Sequence, residues 1–122
     1  MFFSIVIPTY NRKPILEKCL RALEKQTLTD DKVKGYEVIV VDDGSTDDTL
    51  AWLAEDKALP HVKVFQQAHA GPAAARNLGV EQGTGDWIIF IDSDLVVTEQ
   101  FLQAHADALV TGEQQLGNDR LF

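Results

Sequence analysis

Two carboxylates one residue apart stand directly after an apolar run, and this pairing is the strongest chemical signal in the sequence. The run 87–91 is rich in β-branched and aromatic residues, and Asp92 and Asp94 follow it at once. Such a run predicts a strand buried on both faces of a parallel sheet. Open α/β sheets bind ligands at the carboxyl ends of their strands, where these acids would lie. Neighbouring carboxylates repel one another unless a cation lies between them, and oxygen ligands suit Mg2+ or Mn2+, so the stretch predicts a divalent cation site.

Polar residues also follow two other predicted strands. Thr9 and Tyr10 come directly after Pro8, which ends a short apolar strand, and Asp42 and Asp43 follow the apolar run of the next strand. In a parallel sheet, the carboxyl ends of the first, second and fourth strands can face a common crevice. Three polar segments at strand ends are stronger evidence for a binding site than any one of them alone.

Each of these residues also has an ordinary structural interpretation. Asp42 and Asp43, with the glycine and serine that follow, are compatible with a turn and a helix cap, although a cap needs fewer acids. Arg76 is either an exposed ion pair, which contributes little to stability, or a bidentate contact to a phosphate or carboxylate. Tyr10 is either a boundary aromatic residue or a side chain that stacks on a base.

The elements that must position these residues alternate along the chain. Apolar runs predict strands over 4–8, 36–41, 62–65 and 87–91, and helical periodicity predicts a helix after each one. Asn11 is predicted to cap the first helix, and Ser45 with Asp48 has the spacing of a capping box for the second. This strict alternation predicts an α/β fold, a Rossmann-like and mostly parallel sheet with flanking helices and strand order 3-2-1-4.

The composition narrows the class of protein. A chain of 122 residues with 45% hydrophobic content is one globular domain at most. The formal net charge of −8 argues against nucleic acid as a partner and implies that a phosphate ligand needs a cation at the acidic site. No apolar segment approaches the roughly 20 residues that span a bilayer, and the first residues lack the basic region of a signal peptide. We therefore expect a cytoplasmic protein, or one at the inner face of a membrane.

Several other kinds of site are disfavoured. Neither a P-loop nor a Gly-x-Gly-x-x-Gly motif follows the first strand. The single Cys19 shares a helical face with apolar residues and is predicted to be a buried structural thiol. None of the three histidines has a second histidine at metal-ligand spacing, so the sequence does not predict a zinc site. Of the three, His69 is placed to touch a ligand, because it follows the third strand.

Four segments together resemble the successive signatures of the family-2 inverting glycosyltransferases with the GT-A fold. They are SIVIPTYN at 4–11, VVDDGSTD at 40–47, GPAAARN at 71–77 and FIDSD at 90–94, and the match runs in register from about Ile5 to Ala106. The resemblance implies a nucleotide-sugar donor, with a UDP-sugar favoured, and transfer of the sugar to an acceptor hydroxyl with inversion. It also implies an Mn2+ or Mg2+ ion that neutralises the diphosphate leaving group.

The resemblance also assigns roles to individual residues. Asp92 and Asp94 would form the Asp-x-Asp motif, the former near the ribose and the metal and the latter on the metal. Asp42 would hydrogen-bond the base, most often uracil in this family, Asp43 would support that loop, and Arg76 would lie near the nucleotide. The resemblance implies four further residues that contact the nucleotide-sugar donor: Pro8, Thr9, Tyr10 and Ser93.

The catalytic base of the family is not expected within this chain. In the family, an Asp or Glu that deprotonates the acceptor lies well beyond the Asp-x-Asp motif, and Glu113 and Asp119 are too close to the motif to replace it. Residues 1–110 are therefore predicted to be the nucleotide-sugar-binding half of a longer enzyme, or a natural short relative of one. Residues 111–122 are predicted to be a polar tail that begins the acceptor half. Alone, the chain is expected to transfer sugar slowly or not at all, to an acceptor that the sequence does not specify.

Alternative functions stay open at this point. A non-catalytic nucleotide-binding module or subunit would have the same cleft without turnover. A nucleotidyltransferase would carry a glycine- and arginine-rich phosphate loop after its first strand, which the segment TYNR at 9–12 resembles poorly, and a receiver domain would place its acidic pair after that strand. Because a truncated sheet would expose apolar surface, a homo-oligomer is a further expectation, and the full-length protein is expected to associate peripherally with a membrane.

Overall fold

Strands and helices alternate along the whole described part of the chain. The computed structural model describes residues 1–116. The elements are β1 (Phe2–Thr9), α1 (Lys13–Glu24), β2 (Gly35–Asp42), α2 (Thr49–Glu55), β3 (Val62–Gln66), α3 (Pro72–Gln82), β4 (Trp87–Phe90) and α4 (Phe101–Leu116). The last helix enters the segment that the sequence marks as a polar tail, and Asp119 lies outside the described residues.

The sheet has the predicted topology. Its four described strands are parallel and lie in the order β3-β2-β1-β4, which confirms the expected Rossmann-like sheet. Strand β1 lies at the centre and pairs with β2 along its whole length, from Phe2 opposite Gly35 to Thr9 opposite Asp42. On its other side β1 pairs with β4, where Val6 lies opposite Phe90. Residues after β1, β2 and β4 therefore leave the sheet at one edge.

Each face of the sheet carries its own apolar core. On one face, Ile5 and Ile7 of β1 belong to the larger core, together with Leu20 of α1 and Leu102 of α4. On the other face, Val6 belongs to a smaller core that includes buried residues of β2 and β4 and of α3. Side chains alternate between the two faces along a strand, so the near-continuous apolar run of β1 serves both cores.

Helix α3 lies very close to the centre of the sheet. A Cβ atom added at Gly79 would lie 2.3 Å from Cγ1 of Val6, a separation that only glycine permits. Ala75, one turn earlier on α3, is completely buried. The small side chains of this helix thus allow its backbone to approach β1.

Two predicted helix caps are wrong. Asn11 precedes α1, but the residue at the cap position is Arg12, and no side-chain cap bond forms there. Helix α2 begins at Thr49 rather than at Ser45, again without a side-chain cap bond. The physical reason is competition: the side chains of Asn11 and Ser45 form hydrogen bonds between the two loops instead. Local sequence patterns cannot show such a long-range partner.

A buried polar network fixes the opposite, amino-terminal edge of the sheet. Glu37 of β2 is almost fully buried and accepts hydrogen bonds from Ser4 Oγ (2.6 Å), Lys63 Nζ (2.7 Å) and the backbone N–H of Thr84 (2.7 Å). Burial alone would raise the pKa of Glu37, but these hydrogen bonds outweigh it and lower the pKa to about 2. The ionised carboxylate thus joins β1, β2 and β3 to the segment before β4.

Loss of this carboxylate is expected to destabilise the fold in a pH-dependent way. Because the pKa of Glu37 falls from 4.5 to about 2 on folding, its contribution is complete above pH 4.5 and is lost as the pH falls through 2. Glu37→Gln should lower the free energy of unfolding at pH 7 by roughly 1–3 kcal/mol. Urea denaturation followed by tryptophan fluorescence measures this difference, which should shrink as the pH approaches 2.

The exposed Glu81 on α3 provides a matched control, because Glu81→Gln should leave the free energy of unfolding nearly unchanged at each pH. An equal difference between Glu37→Gln and the unmodified protein at pH 7 and at pH 2.5 would contradict the assigned network.

Candidate functional site

A cleft of about 520 Å3 lies at the carboxyl edge of the sheet. Its volume is in the range of small-molecule binding sites. The cleft is lined by Pro8, Thr9, Tyr10, Arg12, Asp43, Pro72, Arg76, Asp92, Ser93 and Asp94. Except for Asp42 and His69, every predicted site residue therefore lines a single cleft. Arg12 and Pro72 were missed, although the positive charge of Arg12 within the polar segment after β1 was a usable signal.

The end of β4 directs its two acids outward. The backbone N–H of Ile91 still bonds to the Val6 carbonyl (3.1 Å), and the chain then turns, with Leu95 N–H donating to the Asp92 carbonyl (3.1 Å). Ser93 is buried between the two exposed acids Asp92 and Asp94. The carboxylates thus project from a segment whose backbone is anchored to the central strand.

Arg76 brings a positive charge to the same wall of the cleft. Its Nη2 atom lies 3.8 Å from Oδ1 of Asp92, and the two side chains are 42% and 74% exposed. A long ion pair with this exposure contributes little to stability. Both groups therefore keep their hydrogen-bonding capacity for a ligand.

The donor set suits a cation that a ligand shares with the protein. Within residues 1–111, whose side chains the structure describes, no three His, Cys, Asp or Glu side chains form a group that could hold a metal ion by themselves. Asp92 and Asp94 supply carboxylate oxygens, which Mg2+ and Mn2+ accept, and Mg2+ commonly takes one or two carboxylates with phosphate oxygens and water. The two acids therefore fit a cation that completes its coordination with a phosphorylated ligand.

Two buried polar side chains occupy paired positions where β1 and β2 end. Asp42 is fully buried, and its Oδ2 accepts a hydrogen bond from Ser45 N–H (2.8 Å). Its Oδ1 atom and the Oγ1 atom of Thr9 have no hydrogen-bond partner among the described residues. The two residues are register partners in the sheet, and Thr9 lines the cleft. Buried polar atoms of this kind usually find a partner, so their position beside the cleft favours a ligand that donates a hydrogen bond.

Asp43 connects the loop after β2 to the loop after β3. Its carboxylate accepts hydrogen bonds from Gln67 Nε2 (2.8 Å), Ala70 N–H (2.8 Å) and Gly71 N–H (3.1 Å). The hydrogen bond from Gln67, followed by those from the backbone, lowers the pKa of Asp43. Asp43 thereby holds the segment that leads into α3, the helix that carries Arg76.

His69 contacts Tyr10 and Asp43 without lining the cleft itself. Its Nδ1 atom lies 3.0 Å from Oδ2 of Asp43, and its ring centroid lies 4.6 Å from that of Tyr10 at an interplanar angle of 41°. His69 does not line the cleft, whereas Tyr10 does and remains 41% exposed. His69 thus contacts two residues that line the cleft, Asp43 and Tyr10.

The remaining reactive side chains lie outside the cleft. Cys19 is fully buried, as predicted, and burial raises the pKa of its thiol to about 12, which leaves it protonated at neutral pH. His61 bonds to Glu24 (2.6 Å) and stacks on Tyr36, with 4.0 Å between the ring centroids. Both residues have structural roles.

A family model and a curated relative both identify this chain as similar to glycosyltransferases. The family model described as "Glycosyl transferase family 2" matches residues 4–116. The glycosyltransferase AglE of Haloferax volcanii is 36% identical over 124 residues, which covers 99% of this chain and 40% of AglE.

No helix within residues 1–116 combines the length and hydropathy that crossing a membrane requires.

Solved structures share the fold. The crystal structure of Staphylococcus aureus TarS 1-349 in complex with UDP-GlcNAc superimposes with a TM-score of 0.79 at 33% identity, over 93% of this chain and 32% of TarS 1-349. The mannosyltransferase PcManGT from Pyrobaculum calidifontis, in complex with GDP-Man and Mn2+, gives a TM-score of 0.69 at 28% identity, over 88% of this chain and 31% of that one. The chain thus spans about a third of each of these proteins.

Removal of one carboxylate oxygen from Asp43 should loosen the loop before α3. Asp43→Asn retains a single acceptor oxygen, so the amides of Ala70 and Gly71 should lose protection in hydrogen exchange, while the amides of β1 and β2 stay protected. Because the pKa of Asp43 is lowered, the unmodified protein should lose the same protection as the pH falls below 3.8.

The matched control for this prediction is Asp31→Asn, whose side chain is 94% exposed. The control should exchange at the rate of the unmodified protein. Unchanged protection of Ala70 and Gly71 in Asp43→Asn would rule out the connection between the loops.

Proposed function

The chain belongs to glycosyl transferase family 2, and we propose that its cleft binds the nucleotide-sugar donor of a sugar-transfer reaction. The observation that carries this proposal is the meeting, in one cleft, of polar residues that follow β1, β2 and β4. The related TarS fold in complex with UDP-GlcNAc and the PcManGT fold in complex with GDP-Man support it. The cleft volume of about 520 Å3 suits a ligand of this size class.

The base and ribose are assigned to the β1 and β2 side of the cleft. Tyr10 offers an exposed aromatic face for stacking, and His69 supports its ring. Asp42 Oδ1 is a buried acceptor without a described partner. The imide N–H of uracil can donate a hydrogen bond to this oxygen. Because the family resemblance implies uracil as the base, the proposal favours a UDP-sugar.

The diphosphate is assigned to the α3 and β4 side. The guanidinium of Arg76 can donate two hydrogen bonds to phosphate oxygens in its plane. Asp92 and Asp94 would repel the diphosphate, so the proposal includes an Mg2+ or Mn2+ ion held by these two carboxylates. When bound, that ion would supply Lewis-acid stabilisation of the negative charge on the departing diphosphate.

The proposed reaction transfers the sugar with inversion. The acceptor hydroxyl oxygen forms a bond to the anomeric carbon as the bond from that carbon to the nucleoside diphosphate breaks on the opposite face. A general base takes the hydroxyl proton. We assign none of the described residues to this base, because the family resemblance implies a position beyond the Asp-x-Asp motif. Turnover of this chain comparable to that of full-length relatives would contradict this assignment.

Nucleotide binding should stabilise the folded protein. A ligand present at 100 times its dissociation constant adds about 2.7 kcal/mol to the free energy of unfolding. Thermal denaturation in the presence of UDP, GDP or dTDP, each with and without Mn2+, measures this effect. The melting temperature should rise most with UDP and Mn2+ together. An unchanged midpoint with all three nucleotides would exclude a donor site in this chain.

Asp94→Ala should separate metal binding from folding. Asp94 is exposed, so its removal should leave the melting temperature of the ligand-free protein nearly unchanged. In this variant, Mn2+ should no longer add to the rise in melting temperature that UDP causes. The rise caused by UDP alone should remain. The exposed Asp31→Ala variant has the same charge change and should keep the full response to Mn2+. A full response in Asp94→Ala would remove Asp94 from the proposed cation site.

A further inference from the structure

Asn11 has a backbone conformation that needs an explanation. Its φ angle is +51°, and among residues 1–116 it is the only residue other than glycine with a positive φ. This left-handed region is unfavourable for most L-residues, although asparagine tolerates it better than most. Sparsely populated conformations persist where the surrounding structure enforces them, and they cluster at functional sites.

The side chain and backbone of Asn11 hold the loop after β2. The Asn11 N–H donates to Ser45 Oγ (2.9 Å), and the Asn11 Oδ1 atom accepts hydrogen bonds from Thr46 N–H (2.7 Å) and Asp47 N–H (3.2 Å). These contacts span more than 30 residues of sequence. They explain why Asn11 does not cap α1, since its acceptor oxygen is already used.

Asn11 stands between parts of the candidate site. Its neighbours Tyr10 and Arg12 both line the cleft, and the loop that it holds begins with Asp43. The backbone N–H of Asp43 also donates to the Thr9 carbonyl (2.9 Å), which continues the pairing of the two chains beyond the sheet. A shift of either loop would therefore move Tyr10 and Arg12 relative to Asp43.

We infer that Asn11 is a positioning residue for nucleotide binding, which joins the loop after β1 to the loop after β2 and so fixes Tyr10 and Arg12 relative to Asp43. The inference rests on the proposed function, because it concerns the affinity of the same cleft. Asn11 acts through its neighbours and does not itself line the cleft.

Three substitutions at this position separate the side chain from the backbone. Asn11→Gly accepts the positive φ but removes the side-chain hydrogen bonds of Asn11 with Thr46 and Asp47. Asn11→Asp keeps an acceptor oxygen and tolerates the left-handed region. Asn11→Ala loses the acceptor and also disfavours the backbone conformation. If position 11 needed only the left-handed backbone conformation, glycine would be the best substitute. If it needs a side-chain acceptor that joins the two loops, aspartate would be the best substitute.

Hydrogen exchange tests the connection without any ligand. In Asn11→Gly and Asn11→Ala, the amides of Thr46 and Asp47 should lose protection, and in Asn11→Asp they should keep it, while the amides of β1 and β2 remain protected in all three variants. Unchanged protection of Thr46 and Asp47 in Asn11→Gly would overturn the inference, whether or not the protein binds a nucleotide.

Calorimetric titration with UDP and Mn2+ tests the consequence for binding. The loss of hydrogen bonds that order the cleft should weaken UDP roughly tenfold in Asn11→Gly and further in Asn11→Ala, with Asn11→Asp within about threefold of the unmodified protein. Asn77→Ala, an exposed substitution on α3 outside the cleft lining, is the control and should bind UDP normally. Normal UDP affinity in Asn11→Gly would overturn the inference. An unmodified protein that binds no nucleotide would instead refute the proposed function.

Discussion

The parallel pairing of β1 with both of its neighbours is the constraint on which the rest of the structure depends. Because β1 is central, the ends of β2 and β4 are placed relative to one common strand. Thr9 lies opposite Asp42, and the Ile91 N–H reaches the Val6 carbonyl, so the residues that follow emerge close together. In a parallel sheet, a change of one residue in this register would exchange the two faces of the strand and bury the wrong side chains. The position of the acids is thus determined by the cores on which the strands pack.

Carboxylates are satisfied by hydrogen bonds within the protein at one edge of the sheet, and are exposed or lack a described partner at the other. At the amino-terminal edge, the carboxylate of Glu37 is surrounded by donors and its hydrogen-bonding capacity is satisfied within the protein. At the carboxyl edge, Asp92 and Asp94 are exposed, and one oxygen of Asp42 has no described partner. Satisfied polar groups stabilise the fold, whereas unsatisfied groups at the other edge are those that a ligand can complete. The arrangement separates stability from binding along the same strands.

Much of this arrangement was predictable from the sequence, and the failures have specific physical causes. The apolar runs and their alternation with helices determined the sheet order, since few topologies satisfy the rules for parallel connections. The positions of Asp92 and Asp94 followed from the run before them. Asn11 and Ser45 were misassigned as helix caps because both residue types also form loop contacts, and their actual partners lie more than 30 residues away. The support of Tyr10 by His69 was likewise invisible, because it depends on how two loops meet.

The hydrogen bonds of Asp43 have a consequence for the thermodynamics of ligand recognition. Its carboxylate binds backbone and side-chain groups of the loop before α3, and its own N–H bonds to the Thr9 carbonyl, so three connections of the sheet meet at one residue. Flexible loops lose conformational entropy when they bind a ligand. In this protein the hydrogen bonds of Asp43 order the loops on folding, so that entropy is lost before a ligand binds. A cleft preorganised in this way discriminates between ligands by the shape and hydrogen-bonding pattern that it presents, because its walls adapt little to a poorer match.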